Sequence, residues 1–303
     1  MFSRHIKDLA SYTMAGPTFI TAEEEYKKDS RLKEEDIEKL RVWLTTQPDL
    51  PQNISDERLL MYIHCSNFDL NKAKEVCERD WLLRMKHPDL LAELDPCTPE
   101  QDNIWKLGEF WIAPETTKEG YRVCYAGLHD PNPSKYNFLE AMKAAIMVMW
   151  ADYVSRGICP GFIFVLNAKG TSFGHALKAS ISTIRAFLSY AQEGNPINMK
   201  AVHIINVSYV VDKLMILTRP LIGKELYNII KLHSGDMQSF FDVVPKNVLP
   251  AELGGTAGSS EELRNAAKHK NELYRDFFLR ENELAVPKRD SQQKSLTGIL
   301  EID

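Results

Sequence analysis

The sequence predicts an α/β protein in which a helical N-terminal unit precedes a mostly parallel sheet. Residues 30–94 contain only helical patterns, whereas residues 121–207 alternate short β-type runs with helices. Strands that alternate with helices of this length need crossover connections, and such connections produce parallel or mixed sheets covered by helices. We therefore expect a helical unit over residues 1–98, an α/β unit over 99–265 and a terminal helix with a tail over 266–303.

The helical unit is predicted from helix starts and stops. Leu40 and Trp43 lie at helical spacing, and Pro48 ends that pattern. Ser55 and Asp69 each precede an apolar periodic stretch and are expected N-caps, because their side-chain oxygens can accept from free backbone N–H groups. Several short helices, joined by tight turns, should result.

Three β-type runs define the sheet of the second unit: YRVCYAGL, GFIFVLN and AVHIINV. Helices are predicted between them at Phe138–Arg156 and over residues 174–192. After the last strand the chain passes into a helix that Pro220 ends, and Asp212 and Arg219 form its single thin polar stripe. A helix this apolar should be covered on nearly every side.

The C-terminal part should form a polar helix. Ser259 followed by Glu262 is a capping-box signature, in which each side chain bonds the other residue's backbone N–H. Beyond Pro287 the tail is charged and serine-rich and is expected to be loose.

Composition excludes several classes of protein. The 303 residues are 44% hydrophobic and 26% charged, and the net charge of -5 gives no general attraction to nucleic acid. The N-terminus lacks a signal-peptide pattern and no apolar run could span a membrane, so we expect a cytoplasmic protein. Five irregularly spaced cysteines argue against a disulfide framework or a zinc site, and no metal or cofactor motif is present.

One catalytic pattern is present. The segment GTSFG at residues 170–174 fits G-x-S-x-G between a strand and a helix, which is the context of a nucleophile elbow at Ser172. Asp212 or Asp242, with His233 or His269, would supply the acid and base in the required order. An upstream oxyanion segment is missing, so an esterase using Ser172 is an alternative to a binding protein.

Apolar side chains repeat on two faces that could line a cavity. A spacing of three or four places residues on one face of a helix, and a spacing of two places them on one face of a strand. The helical face carries Leu139, Met142, Ile146, Met149 and Tyr153, and the strand face carries Phe162, Phe164 and Leu166. Tyr153, Thr171 and Tyr190 are the hydroxyls expected to give selectivity.

Four segments resemble the CRAL-TRIO family, over residues 30–265. They are DERLLMYIHCSNFDLNKAKEV with its turn at Phe68 and Asp69, FIFVLNAKGTSFGHAL with the His175-Ala176 pair, AVHIINVSYVVDKLMILTRPLIGKEL with His203 to Asn206 and Pro220, and PKNVLPAELGGTAGS with Leu249, Pro250, Gly254 and Gly255.

The resemblance implies an N-terminal helical bundle and an α/β domain whose deep apolar pocket is closed by the helix after AVHIINV, its gate helix. It also implies that the GTSFG segment is a strand-to-helix turn without a nucleophile. The positions that match ligand-facing sites of the family are Leu139, Met142, Ile146, Phe162, Phe164, Leu166, Phe187, Tyr190, Ile197, Met199, Val202, Val211, Leu214, Met215 and Leu217.

The resemblance further implies headgroup contacts at Lys200 and Arg219, whereas Asn198 and Glu225 replace basic positions. Family members that exchange ligand for phosphoinositide carry arginines on the helix that here reads LLMYIHCS, in which His64 is the one cationic side chain. The sequence thus favours a non-enzymatic cytoplasmic carrier of a single retinoid, tocopherol, carotenoid or other isoprenoid. It should be monomeric, without a cofactor or nucleic-acid partner and with transient membrane contact. Phosphoinositide exchange is the alternative binding function.

Overall fold

A five-stranded sheet forms the centre of the protein, in a computed structural model that describes residues 16–235 and 237–285. Its spatial order follows the chain, and the strands are β1 (Gly108–Thr116), β2 (Arg122–Leu128), β3 (Phe162–Asn167), β4 (Met199–Ile205) and β5 (Ile230–Leu232). β1 is antiparallel to β2, and the other neighbouring pairs are parallel. The predicted α/β class and mostly parallel sheet are confirmed.

The N-terminal part is helical, as predicted. Its helices are α1 (Ala22–Lys28), α2 (Glu34–Thr45), α3 (Asp56–Cys65), α4 (Leu70–Lys86), α5 (Pro88–Leu91) and α6 (Pro99–Leu107). Ser55 caps α3 by accepting from the Arg58 N–H, and Asp69 caps α4. Leu40, Leu59 and Trp81 lie at the centre of a shared apolar core, which makes α1–α4 one helical unit.

The helices of the sheet domain differ from prediction at one place. They are α7 (Phe138–Arg156), α8 (Phe173–Ala176), α9 (Ile181–Ser189), α10 (Tyr209–Thr218) and α11 (Lys224–Ile229). The single helix expected over residues 174–192 is wrong, because Ser180 caps a new helix by accepting from the Thr183 N–H. After α9 the backbone widens into a π-turn, Tyr190–Gly194.

Two strands were not predicted from the sequence. β1 contains Pro114, which is normally a strand breaker, but β1 is an edge strand, where a missing N–H is tolerated. β5 has three residues and lacks a recognisable alternating pattern. β1 pairs with β2 and β5 pairs with β4, so the two strands extend the predicted three-stranded centre on either side.

The two faces of the sheet serve different cores. Phe164 and Leu166 on β3 point to the face covered by α7 and α10, whereas Ile163 and Val165 point to the opposite face. A far-face cluster of buried side chains covers that opposite face, and its members are Trp111, Ala113, Val123, Tyr125, Ile163, Val165, Ile205, Phe240, Val244, Val248, Leu249 and Leu263.

The C-terminal helices are α12 (Gln238–Phe241), α13 (Ser260–Leu273) and α14 (Arg275–Leu284). The Ser259–Glu262 capping box is formed as predicted. The expected third segment, 266–303, starts inside α13, and both the N-terminal segment judged for a signal peptide and the tail beyond Pro287 lie outside the described residues. Among the described helices, we find none with the length and apolar character needed to cross a bilayer.

Candidate functional site

An apolar layer lies between the sheet and α7. The inner cluster, as we call it, joins α7 to β3 and to the π-turn. Of the predicted ligand-facing residues it contains Leu139, Met142, Ile146, Met149, Tyr153, Phe162, Phe164, Phe187, Tyr190, Ile197 and Met199. The ring centroids of Tyr153 and Phe162 are 5.6 Å apart, and those of Phe162 and Phe164 are 6.3 Å apart. Aromatic rings thus run from α7 onto the sheet.

A second, smaller cluster joins β4 to α10. This gate cluster includes the predicted residues Phe164, Leu166, Met199, Val202, Val211 and Met215. Phe164 and Met199 contact both clusters, so the two clusters form one continuous apolar layer. The remaining predicted residues are Leu214, which is half-buried, and Leu217, which is 70% exposed.

α10 is much less covered than its composition led us to expect. It buries Val211, whereas Ile216 and Leu217 are 64% and 70% exposed. The expectation of coverage on nearly every side is therefore wrong for this helix. Ile216 and Leu217 lie on the outer face of α10, and among the described residues no element covers that face. An apolar helix held by one buried residue is a weakly packed wall.

The N-terminal end of α10 begins at a tight backbone turn. Asn206 adopts the left-handed conformation with φ of 55°, a region that asparagine tolerates better than most residues. Its side-chain amide donates to Asn167 Oδ1 over 2.8 Å, and the Val207 N–H donates to the His233 carbonyl over 3.1 Å. The chain is thus fixed to the sheet edge immediately before α10.

The tyrosine hydroxyls of the layer already have protein partners. Tyr153 Oη donates to the Pro196 carbonyl over 3.4 Å, and Trp150 Nε1 donates to Tyr190 Oη over 3.2 Å. Burial raises the pKa of both tyrosines, so both hydroxyls stay neutral. These two hydroxyls therefore add no charge to the layer.

A buried charge network borders the inner cluster, and sequence reasoning missed it. Asp80 accepts from Arg58 Nη2 over 2.6 Å and from Arg84 Nε over 2.7 Å. Tyr62 Oη also donates to Asp80, and Arg84 Nη2 lies 3.4 Å from Tyr190 Oη. The available signal was the spacing of four between Asp80 and Arg84, which places an acid and a base on the same face of α4. The network connects the helical unit to the π-turn.

A groove of about 280 Å³ lies between the helical unit and the sheet domain. Its basic lining residues are Lys28, Arg31, His64 and Lys200, of which Arg31 and Lys28 were not predicted. Burial lowers the pKa of His64, so His64 adds no positive charge at neutral pH. Asp29 accepts from Arg31 over 2.7 Å, so part of this positive charge is neutralised. Arg219, the other predicted headgroup residue, instead stacks on Tyr227 at 3.8 Å.

Ser172 lies next to a histidine other than those predicted. Its Oγ is 3.0 Å from His175 Nδ1, and its backbone N–H donates to the same nitrogen. His175 Nε2 is buried without a hydrogen-bond partner among the described residues, so no carboxylate orients the ring. The pair is a turn contact that lacks the third member of a triad.

Comparison with known proteins identifies the class. The CRAL/TRIO domain model matches residues 108–255, and the model described as "Pinta-like, UBA domain" matches residues 29–101. The chain thus contains a CRAL/TRIO domain, as its sequence segments suggested. The domain and the similar proteins make it a lipid-binding transfer protein.

The similar proteins include two named groups. Alpha-tocopherol transfer protein-like of Homo sapiens is 25% identical over 279 residues, which cover 89% of this chain and 78% of the relative. Clavesin-1 of Xenopus laevis is 20% identical over 224 residues, covering 73% and 68%. Among solved structures, that of Sfh5 matches with a TM-score of 0.45 and 14% identity, covering 86% of this chain and 85% of the other.

Proposed function

We propose that this protein is a non-enzymatic cytoplasmic carrier that holds one neutral isoprenoid lipid, of the tocopherol, retinoid or carotenoid type, in the apolar layer and releases it when α10 moves. The observation that carries this proposal is the weak packing of α10, which closes an apolar layer yet buries only Val211 of its own residues. We expect a monomer to suffice, since both walls of the layer belong to one chain.

Affinity needs no covalent chemistry. Burial of apolar surface contributes about 25 cal/mol per Å², so a ligand that loses about 300 Å² gains roughly 7 kcal/mol before ordering costs. Tyr153 and Tyr190 are engaged with Pro196 and Trp150. Selectivity should therefore depend more on the shape of the apolar layer than on hydrogen bonds to the ligand.

Exposed apolar residues support transient membrane contact during release. Leu177 and Ile181 are 87% and 68% exposed beside α8 and α9, and Leu217 is 70% exposed on α10. Single exposed leucines are common on protein surfaces, whereas several exposed apolar residues on short helices favour an interface. Leu177→Asp and Leu217→Asp should reduce co-sedimentation with phosphatidylcholine vesicles, and unchanged binding would contradict the contact.

The proposal is tested by transfer of a fluorescent tocopherol analogue between phosphatidylcholine vesicles. The wild type should accelerate transfer. Met215→Asp should slow it by at least about tenfold, because the half-buried Met215 packs against the gate cluster and an unpaired carboxylate there is costly. The control is Asp212→Asn on the exposed side of the same helix. Equal transfer by wild type and Met215→Asp would contradict the gate assignment.

Phosphoinositide exchange is a second candidate function, favoured by the cationic groove. Lys200 lies there together with Lys28 and Arg31. If it applied, vesicles containing a phosphatidylinositol bisphosphate would release the tocopherol analogue faster from the wild type than from Lys200→Ala. Equal release would leave the neutral-lipid carrier as the function.

A further inference from the structure

A single glutamine side chain connects the π-turn to the C-terminal end of the gate. Gln192 Oε1 accepts from the Gly223 N–H over 2.6 Å, and Gln192 Nε2 donates to the Leu221 carbonyl over 3.3 Å. The same Nε2 donates to the Leu188 carbonyl over 2.8 Å, which fixes the orientation of the amide. The side chain therefore bonds the backbone on both sides of Ile222.

Apart from a local hydrogen bond from Arg219 Nη1 to the Ile222 carbonyl over 3.0 Å, one buried apolar residue holds the attachment point on the gate. Ile222 is 7% exposed, whereas α10 and the 3₁₀ turn Arg219–Leu221 before it are largely exposed. A Cβ on Gly223 would lie 3.0 Å from Gln192 Oε1, so the backbone approaches the amide closely. The donor and the acceptor of the Gln192 amide thus pair with the Leu221 carbonyl and the Gly223 N–H, which flank the buried Ile222.

The π-turn that carries Gln192 is itself rigidly held. A Cβ on Gly194 would lie 3.1 Å from Asp80 Cα, so the turn rests directly on α4. Arg79 Nε also lies 3.2 Å from Glu193 Oε2. Movement of the gate relative to Gln192 is therefore movement relative to the whole helical unit.

We propose that Gln192 is a positioning residue that latches the C-terminal end of the gate in its closed position. Asn206, with its left-handed backbone, then forms the hinge at the other end. Opening breaks the two hydrogen bonds to Leu221 and Gly223 and lets α10 turn about Asn206. The role of the latch in lipid release rests on the proposed function, but the latch itself does not.

Hydrogen–deuterium exchange of the full chain tests the latch without any ligand. Gln192→Ala removes all three hydrogen bonds, and Gln192→Glu keeps the acceptor but opposes a carboxylate to the Leu188 and Leu221 carbonyls. Both variants should raise the exchange rate of residues 209–222 about five- to tenfold, since each hydrogen bond contributes modestly to the stability of the closed gate. The melting temperature should stay at the wild-type value.

Glu193→Ala is the matched control, because it loses the contact to Arg79 but none to the gate. Its exchange over residues 209–222 should equal that of the wild type. Unchanged exchange in both Gln192 variants, or an equal rise in Glu193→Ala, would overturn the latch.

The dissociation rate of the fluorescent tocopherol analogue separates the latch from the proposed function. A rise in both exchange and dissociation rate supports the latch and its role in release. A rise in exchange with an unchanged dissociation rate supports the latch and contradicts release through α10. If exchange does not change, the latch is wrong whatever the ligand does.

Discussion

The guanidinium of Arg58 lies 4.2 Å from the ring centroid of Trp150, although Arg58 belongs to the helical unit and Trp150 to α7 of the sheet domain. The same guanidinium is also 4.6 Å from the centroid of the Trp81 ring. Such contacts strengthen when both partners leave water, and Arg58 and Trp150 are buried. The helical unit and the wall of the apolar layer are thus joined by a buried cation that contacts an indole ring of each.

Asp80 should be among the most sensitive positions for stability. It neutralises both Arg58 and Arg84 and is fully buried. Asp80→Ala should lower the free energy of unfolding by about 3–5 kcal/mol, because it leaves two arginines buried with less compensating charge. Urea unfolding followed by circular dichroism measures this loss.

Lys106→Ala is the control for Asp80→Ala. It also breaks an ion pair, with Asp102, but both side chains are largely exposed. Its free energy of unfolding should fall by no more than about 1 kcal/mol. Similar losses in the two variants would contradict the role assigned to the buried network.

The buried histidine pair should make stability depend on pH. His203 Nδ1 lies 2.9 Å from His233 Nε2. Burial, with the neighbouring His233 and Lys231, lowers the pKa of His203 from 6.5 to about 4. The folded state therefore favours neutral His203, so its contribution to stability is present above pH 6.5 and is lost as the pH falls towards about 4.

His203→Asn keeps a polar atom near the position of Nδ1 but cannot be protonated. Its free energy of unfolding should fall less than that of the wild type between pH 6.5 and about 4. His269→Asn, at an exposed position, should keep the wild-type dependence. The pH assignment fails if His203→Asn and wild type lose stability in parallel.

Ser172 should have no catalytic role. His175 is its neighbour, but the ring lacks an orienting carboxylate among the described residues. We expect neither the wild type nor Ser172→Ala to hydrolyse a p-nitrophenyl ester above the buffer rate. Turnover by the wild type that disappears in Ser172→Ala would restore the esterase hypothesis.

Local patterns predicted the elements, and long-range contacts decided the rest. The apolar periodicity of Phe138–Arg156 predicted α7, and the two-residue period of GFIFVLN predicted that Phe162 and Phe164 share a face. Both predictions were possible because helix and strand periods are local properties. The exposure of Leu217 could not be predicted, since it depends on which elements cover α10. Gln192 was missed because its partners follow far along the chain, and its residue type suggests no function by itself.

Extraction of the purified full chain with organic solvent, followed by mass spectrometry, identifies the bound lipophile. A carrier with a closed apolar site and a single occupant should yield one neutral isoprenoid in about equal molar amount to the protein. Recovery of phospholipid alone, or of no lipophile from protein expressed in lipid-rich cells, would contradict it.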